Sequence, residues 1–199
     1  MVQQVIDLNC AGCGGPVNTG QKECNYCHRL VVISTFNSVY SMEMPLLNKY
    51  IQRDRQALNG NPNNRDLNTS IANCYLKLKM YDEALLAFKK AIEDNFDNSE
   101  TFFYAAVCLL KGKKAFVASR ADVDKIGEYL NAALMIEPRG IYHYFLAYIK
   151  YDYFERKYLN TTPNWQSALQ TATDTGVSQA DILQFFEILQ IEIPKCLTV

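Results

Sequence analysis

Four cysteines fall within the eighteen residues CAGCGGPVNTGQKECNYC, positions 10 to 27, as two CxxC pairs separated by ten residues. Two uses compete for thiols so clustered: a disulfide framework and a metal. The cysteine count is seven, an odd number, and the start, MVQQVIDLNC, has no basic n-region and no apolar stretch long enough for export. The expected compartment is therefore the reducing cytoplasm, where a disulfide set does not persist and a metal is the better use of the four. Zinc favours a tetrahedral shell of thiolates at about 2.3 Å, and a CxxC turn presents two sulfurs to one ion while its backbone N–H groups point at them. An iron–sulfur cluster is the other ion centre built on four cysteines, and His28, next to Cys27, is a competing ligand. Four thiolates already close a structural site and leave no open position of the kind a catalytic zinc needs.

The residues around the thiols must supply sharp turns. Gly12, Gly14 and Gly15 crowd the first pair, where glycine adopts a positive φ at least cost, and His28 follows the second pair with a side chain that tolerates left-handed backbone. Pro16, Asn18 and Gly20 fit a hairpin-like connection between the pairs, and LVVIS at 30 to 34 reads as a short strand. Residues 7 to 34 resemble a zinc ribbon. That resemblance makes Cys10, Cys13, Cys24 and Cys27 the ligands of one structural Zn2+ ion, with His28 a departure from the glycine usual there. Some thirty residues bury too little apolar surface to fold alone, which gives the metal its purpose.

Beyond the ribbon the pattern is helical. The stretch NPNNRDLNTSIANCYLKLKMYDEALLAFKKAIEDNFDN carries apolar residues at helical spacing in two runs, with a turn around Met80 to Asp82. Ile71, Ala72, Tyr75, Tyr81, Ala84, Phe88 and Ala91 stand where a 34-residue helical hairpin has its small and bulky contacts. In this the segment resembles a tetratricopeptide repeat, with Asn68 where the family often has tryptophan and Phe96 where it often has proline. A second unit starts at Ser99 with Ala105, Ala106 and Leu109 in equivalent places and ends on Ala133, Leu134 and Pro138; it is eight residues longer, the excess lying in KGKKAFVASRADV. MPLLNKYIQRDRQALNG reads as an isolated second helix, so the array opens in mid-repeat. IYHYFLAYIKYDYFERKYLN is a long candidate helix, with Tyr148 where a small residue is expected, followed by a Pro163-led segment through Ala172. SQADILQFFEILQ opens on a Ser178 to Asp181 capping signal and reads as a terminal capping helix.

The expected fold is thus mainly α: a TPR-like helical-hairpin array, an α-solenoid, with a small N-terminal β zinc ribbon. The expected domains are residues 1–40 for the ribbon and 41–199 for the repeats with their capping helix. The longest apolar run, FFYAAVCLL, is too short for a membrane span, and a net charge of −1 sets up no global field for nucleic acid or anionic lipid. Asp7, Lys22, Glu23 and Arg29 sum to zero within the ribbon. No phosphate-binding glycine loop, HExxH or GxSxG occurs, the chain has only two histidines, and His143 has no sequence-evident acid or nucleophile partner. Cys74 and Cys108 read as small buried hydrophobes.

These observations point to a non-enzymatic protein–protein adaptor or scaffold in the cytoplasm. Its partner is another protein, held as a peptide or amphipathic helix, with nucleic acid and membrane disfavoured. Three alternatives are a nucleic-acid-associated zinc-ribbon protein, a regulatory subunit of a larger complex, and an enzyme with a site assembled from distant residues. The repeat resemblance implies partner-facing positions at Asn73 and Lys77, at Phe103, Val107 and Lys111, and at Tyr142, Phe145, Ile149 and Tyr153. Of the family's basic carboxylate clamp only Asn73 is matched; Thr69, Tyr104, Tyr142 and Leu146 occupy its other positions. The implied groove is apolar and aromatic, open either to a partner or to the chain's own Ile182, Leu183, Phe185, Phe186 and Leu189.

Overall fold

Asn64, Asn98, Ser119, Asn164 and Ser178 each stand before a helical run, and each accepts a hydrogen bond from a backbone N–H three residues on. These side chains satisfy donors that a helix start leaves orphaned, which places five helix starts. The computed structural model describes residues 5–93 and 96–198. Among the described residues the protein is mainly helical, with nine α-helices and one two-stranded antiparallel sheet. The chain divides into two compact units, one ending at Asn95 and the other beginning at Phe96.

In the first unit, β1 (Asp7–Asn9) and β2 (Pro16–Asn18) pair antiparallel with Leu8 opposite Val17. The first cysteine pair is therefore the turn of this hairpin, rather than one end of a connection between the two pairs. Residues 30 to 34 do not form the expected strand: only Leu30 makes a bridge, to Glu23, and Val31 and Ile33 turn inward to full burial. Val31 closes a small core with Cys10, Val17 and Cys24. A short α1 (Asn37–Tyr40) leads to α2 (Met44–Gly60), which starts with a proline in its first turn, a position where a missing N–H costs nothing.

Helix α2 buries Leu47, Tyr50, Ile51 and Asp54, one face at helical spacing. Asp54 is fully buried; the Arg53 guanidinium pairs with it at 2.6 Å and the Ser70 hydroxyl donates to its other oxygen at 2.6 Å. Helices α3 (Arg65–Lys77) and α4 (Tyr81–Ile92) form a hairpin about a seam of Ala72, Ala84 and Ala91, with Phe88 filling the space beside them. Full burial of a ring such as Phe88 stabilises by about 1.5 to 3 kcal/mol. The segment preceding α2 is seated on these helices: the Tyr50 hydroxyl and the Lys77 ammonium donate to the Leu30 and Tyr40 carbonyls, and the Asn73 amide donates to the Ile33 carbonyl at 3.4 Å.

The second unit pairs α5 (Ser99–Leu109) with α6 (Arg120–Ile136), and α7 (Gly140–Ile149) with α8 (Trp165–Asp174). A 3₁₀ turn at Ala115–Val117 occupies the lengthened α5–α6 connection. Helix α7 does not run on as the expected long helix: it passes into a π-helix at Lys150–Phe154 and a 3₁₀ turn at Glu155–Lys157, ending on Tyr158 at φ 58°. Helix α9 (Gln179–Leu189) packs on α7 and contributes Phe185 and Phe186 to a buried aromatic cluster with Tyr144, Phe145 and Tyr148.

Candidate metal centre and binding surfaces

The hairpin turn after β1 and the turn before Leu30 bring four sulfurs to one point. Cys10, Cys13, Cys24 and Cys27 all lie within 4.8 Å of one another, with Cys10 to Cys27 at 3.5 Å and Cys13 to Cys24 at 3.7 Å. A tetrahedral zinc–thiolate shell has sulfur–sulfur edges of roughly 3.8 Å, so the donor set suits such an ion. In each pair the N–H two residues after the first cysteine points at its sulfur, from Gly12 at 3.3 Å and Tyr26 at 3.4 Å. These donors stabilise thiolate charge and fix the side-chain direction. Gly14 takes φ 77° and His28 φ 57°, both as expected; His28 is exposed and is not a member of the sulfur cluster.

Crowded thiols cannot all titrate alike. Burial pushes the Cys10 thiol up, but the Cys13 and Gly12 N–H groups and the Cys27 and Cys24 thiols outweigh it and bring Cys10 down to about 7. For Cys27 the Arg29 N–H works to lower the value, and desolvation with the three other thiols overrides it, raising Cys27 to about 11. Cys10 therefore gives up its proton more readily than an ordinary thiol and Cys27 less readily.

Among the partner-facing positions, Asn73 and Lys77 belong to the first unit. Asn73 is buried and bonded to the Ile33 carbonyl, and Lys77 is half-buried over the Tyr40 ring with its ammonium on the Tyr40 carbonyl. In the second unit Phe103, Val107, Tyr142, Phe145, Ile149 and Tyr153 are buried, and Lys111 is exposed. Phe103 lies 5.0 Å from Tyr142, 5.9 Å from Phe145 and 6.2 Å from Phe185, centroid to centroid. The chain's own α9 thus covers this aromatic face. Cys74 and Cys108 are fully buried, in keeping with their reading as small hydrophobes.

An open groove that the sequence reading did not single out runs along the first unit. Its volume is about 660 Å³, and α2, α3 and α4 supply its walls. Ile71 and Ala87 form a buried floor, Leu86 is 61% exposed, and Arg55, Glu83 and Lys90 stand on the rim. Arg55 is held in place by the Tyr75 hydroxyl at 2.6 Å. The available signal was Leu86 itself, an apolar residue between Leu85 and Ala87 where one of three consecutive positions had to face out of α4.

Among the described residues, no helix is long and apolar enough to cross a membrane. Compared with known proteins, the chain matches no family model and no curated protein sequence.

Proposed function

We infer that the chain is a non-enzymatic interaction protein, a tetratricopeptide-like array of helical hairpins carrying an N-terminal zinc ribbon, whose partner is another protein. The observation that carries this reading is the groove of about 660 Å³ along α2, α3 and α4. An apolar floor, an exposed leucine and a charged rim suit the apolar face of an amphipathic helix or an extended segment from a partner. The alanine seams of α3–α4 and the small residues Ala105, Ala106 and Ala133 of α5–α6, all buried, support the repeat reading.

The four thiolates would hold a zinc ion whose role is to fold the ribbon, because a closed tetrahedral shell leaves no position for substrate or water. Seven cysteines, none of them in a disulfide, suit a reducing cytoplasm. The ribbon's balanced charges argue against nucleic acid, which is held through several cationic contacts.

The groove is tested by capture from native lysate with the intact chain and a Leu86→Asp variant as baits. A charge on the exposed leucine should abolish capture of a defined protein while leaving the thermal midpoint of the bait unchanged. Equal capture by both baits would remove the groove from the account.

A further inference from the structure

Three departures from a regular hairpin array meet in the second unit. The α5–α6 connection carries an excess of residues, α7 widens into a π-helix, and the chain continues past α9 as a non-helical tail with a short 3₁₀ turn at Lys195–Leu197. A π turn in a helix is unfavourable and tends to survive where a site needs it, and coincident breaks of local rules mark function more often than chance. All three segments line a single cavity of about 350 Å³: Lys114 comes from the connection, Tyr151, Asp152 and Arg156 from the end of α7, and Glu192 and Lys195 from the tail. That volume lies within the range of small-molecule sites, about 300 to 1,000 Å³.

The frame of this cavity is fixed by hydrogen bonds. Asp152, 2% exposed, accepts from the Phe116 N–H at 2.8 Å, from the Tyr148 hydroxyl at 3.3 Å and from the Arg156 guanidinium. The Tyr148 hydroxyl in turn accepts from the Ala115 N–H at 3.0 Å, and the Tyr144 hydroxyl ties down the tail by donating to the Leu197 carbonyl at 2.8 Å. Asp152 and Arg156 therefore neutralise each other within the frame. The other charged residues that line the cavity are Lys114, Lys195 and Glu192, two cations and one anion. Among the described residues neither ammonium has an ion-pair partner. Two lysines without ion-pair partners among the described residues, both lining a framed polar pocket, favour a negatively charged occupant, with charge-assisted hydrogen bonds as the means of holding it.

We propose that this cavity is a binding site for a small-molecule oxyanion, a carboxylate or a phosphate group, held by Lys114 and Lys195 beside the Arg156–Asp152 pair. The site stands apart from the groove of the first unit and does not depend on that reading. The two sources of an oxyanion are separated by titrating the full chain, in a zwitterionic buffer, with sodium phosphate in one arm and sodium acetate in the other, while amide shifts are followed by NMR. Saturable shifts confined to Lys114, the π-helix and residues 192 to 195 are expected in at least one arm, and the arm that saturates names the group. A Lys114→Met, Lys195→Met double variant should weaken that binding by at least about tenfold, the change that one charge-assisted contact supports. Both positions are exposed, so the variant should keep the wild-type circular dichroism spectrum. Absence of saturation in both arms, equal shifts at lysines across the surface, or undiminished binding by the double variant would overturn the site.

Discussion

The ribbon and the aromatic centre of the second unit solve one problem with different materials. The ribbon's core cluster is Cys10, Val17, Cys24 and Val31, so half of that cluster consists of cysteines from the candidate metal site. In the second unit Tyr142, Tyr144, Phe145, Tyr148 and Phe185 are all under 2% exposed, and Phe185 of α9 packs against Phe145 and Tyr148 of α7 at 4.6 and 5.9 Å between ring centroids. Rings bury large areas and stabilise without any added component, whereas two valines and four thiols cannot offset the entropy of ordering nearly thirty residues. Stability should therefore be conditional on metal in the one region and unconditional in the other.

The largest effect tests that contrast directly. In zinc-finger peptides the metal supplies about 10 to 16 kcal/mol of apparent binding energy, so chelation, or Cys24→Ser, should unfold residues 7 to 31. Hydrogen exchange should show loss of amide protection there, while the helical signal at 222 nm is largely retained because the second unit has its own core. Metal analysis of protein purified without added metal should return one zinc per chain; iron would reassign the centre. Should chelation abolish the whole helical signal, the second unit's core is not self-sufficient and the contrast fails.

A smaller effect probes the other side. Phe103 touches Tyr104, Tyr142, Phe145 and Phe185 at centroid distances of 5.0 to 6.2 Å and is 4% exposed. Truncating a buried phenylalanine to alanine costs about 3 to 5 kcal/mol, and Phe103→Ala should lose this amount in denaturant unfolding whether or not a chelator is present. An unchanged midpoint together with lost partner capture would instead make the aromatic face a docking surface.

What the sequence disclosed depended on how local the cause was. The start of α9 was legible because Ser178 acts on a backbone donor three residues away, and Asn64 and Asn98 start α3 and α5 by the same local device. Likewise, the sulfur cluster followed from two short turns whose spacing is written in the chain. Residues 30 to 34 misled because their apolar content serves burial: Val31 and Ile33 are fully buried in the first unit, and among the described residues no strand pairs with them. Periodicity also placed Phe103 and Phe145 on one face of their helices and left two covers open, a partner or the chain's own apolar residues from Ile182 to Leu189. Phe185 of that stretch packs against both rings, a choice between covers that no local signal could make. The π-helix was hidden for a related reason, since its geometry is held by Asp152 through bonds to residues 116 and 148.

The smallest effect concerns pH, and it sharpens the difference between an interior made of rings and a surface ribbon. His143 is half-buried on α7, and desolvation lowers its proton affinity below the usual histidine range. The folded second unit therefore binds a proton at this position less readily than the unfolded chain, whose histidines titrate near about 6.5. Because the unfolded state takes up more protons in this range, stability rises with pH through it. The contribution of neutral His143 is fully present above the unfolded value and is lost as pH falls through the lower folded value. Between about pH 7.5 and 5.5, before carboxylates begin to protonate, wild-type protein should lose stability with a slope that His143→Gln reduces. His28 lies exposed in the ribbon at φ 57°, a conformation asparagine also tolerates, so His28→Asn serves as the control. It should leave the slope of the second unit's unfolding transition unchanged, and an equal reduction by both substitutions would mean that burial on α7 is not what sets the pH dependence.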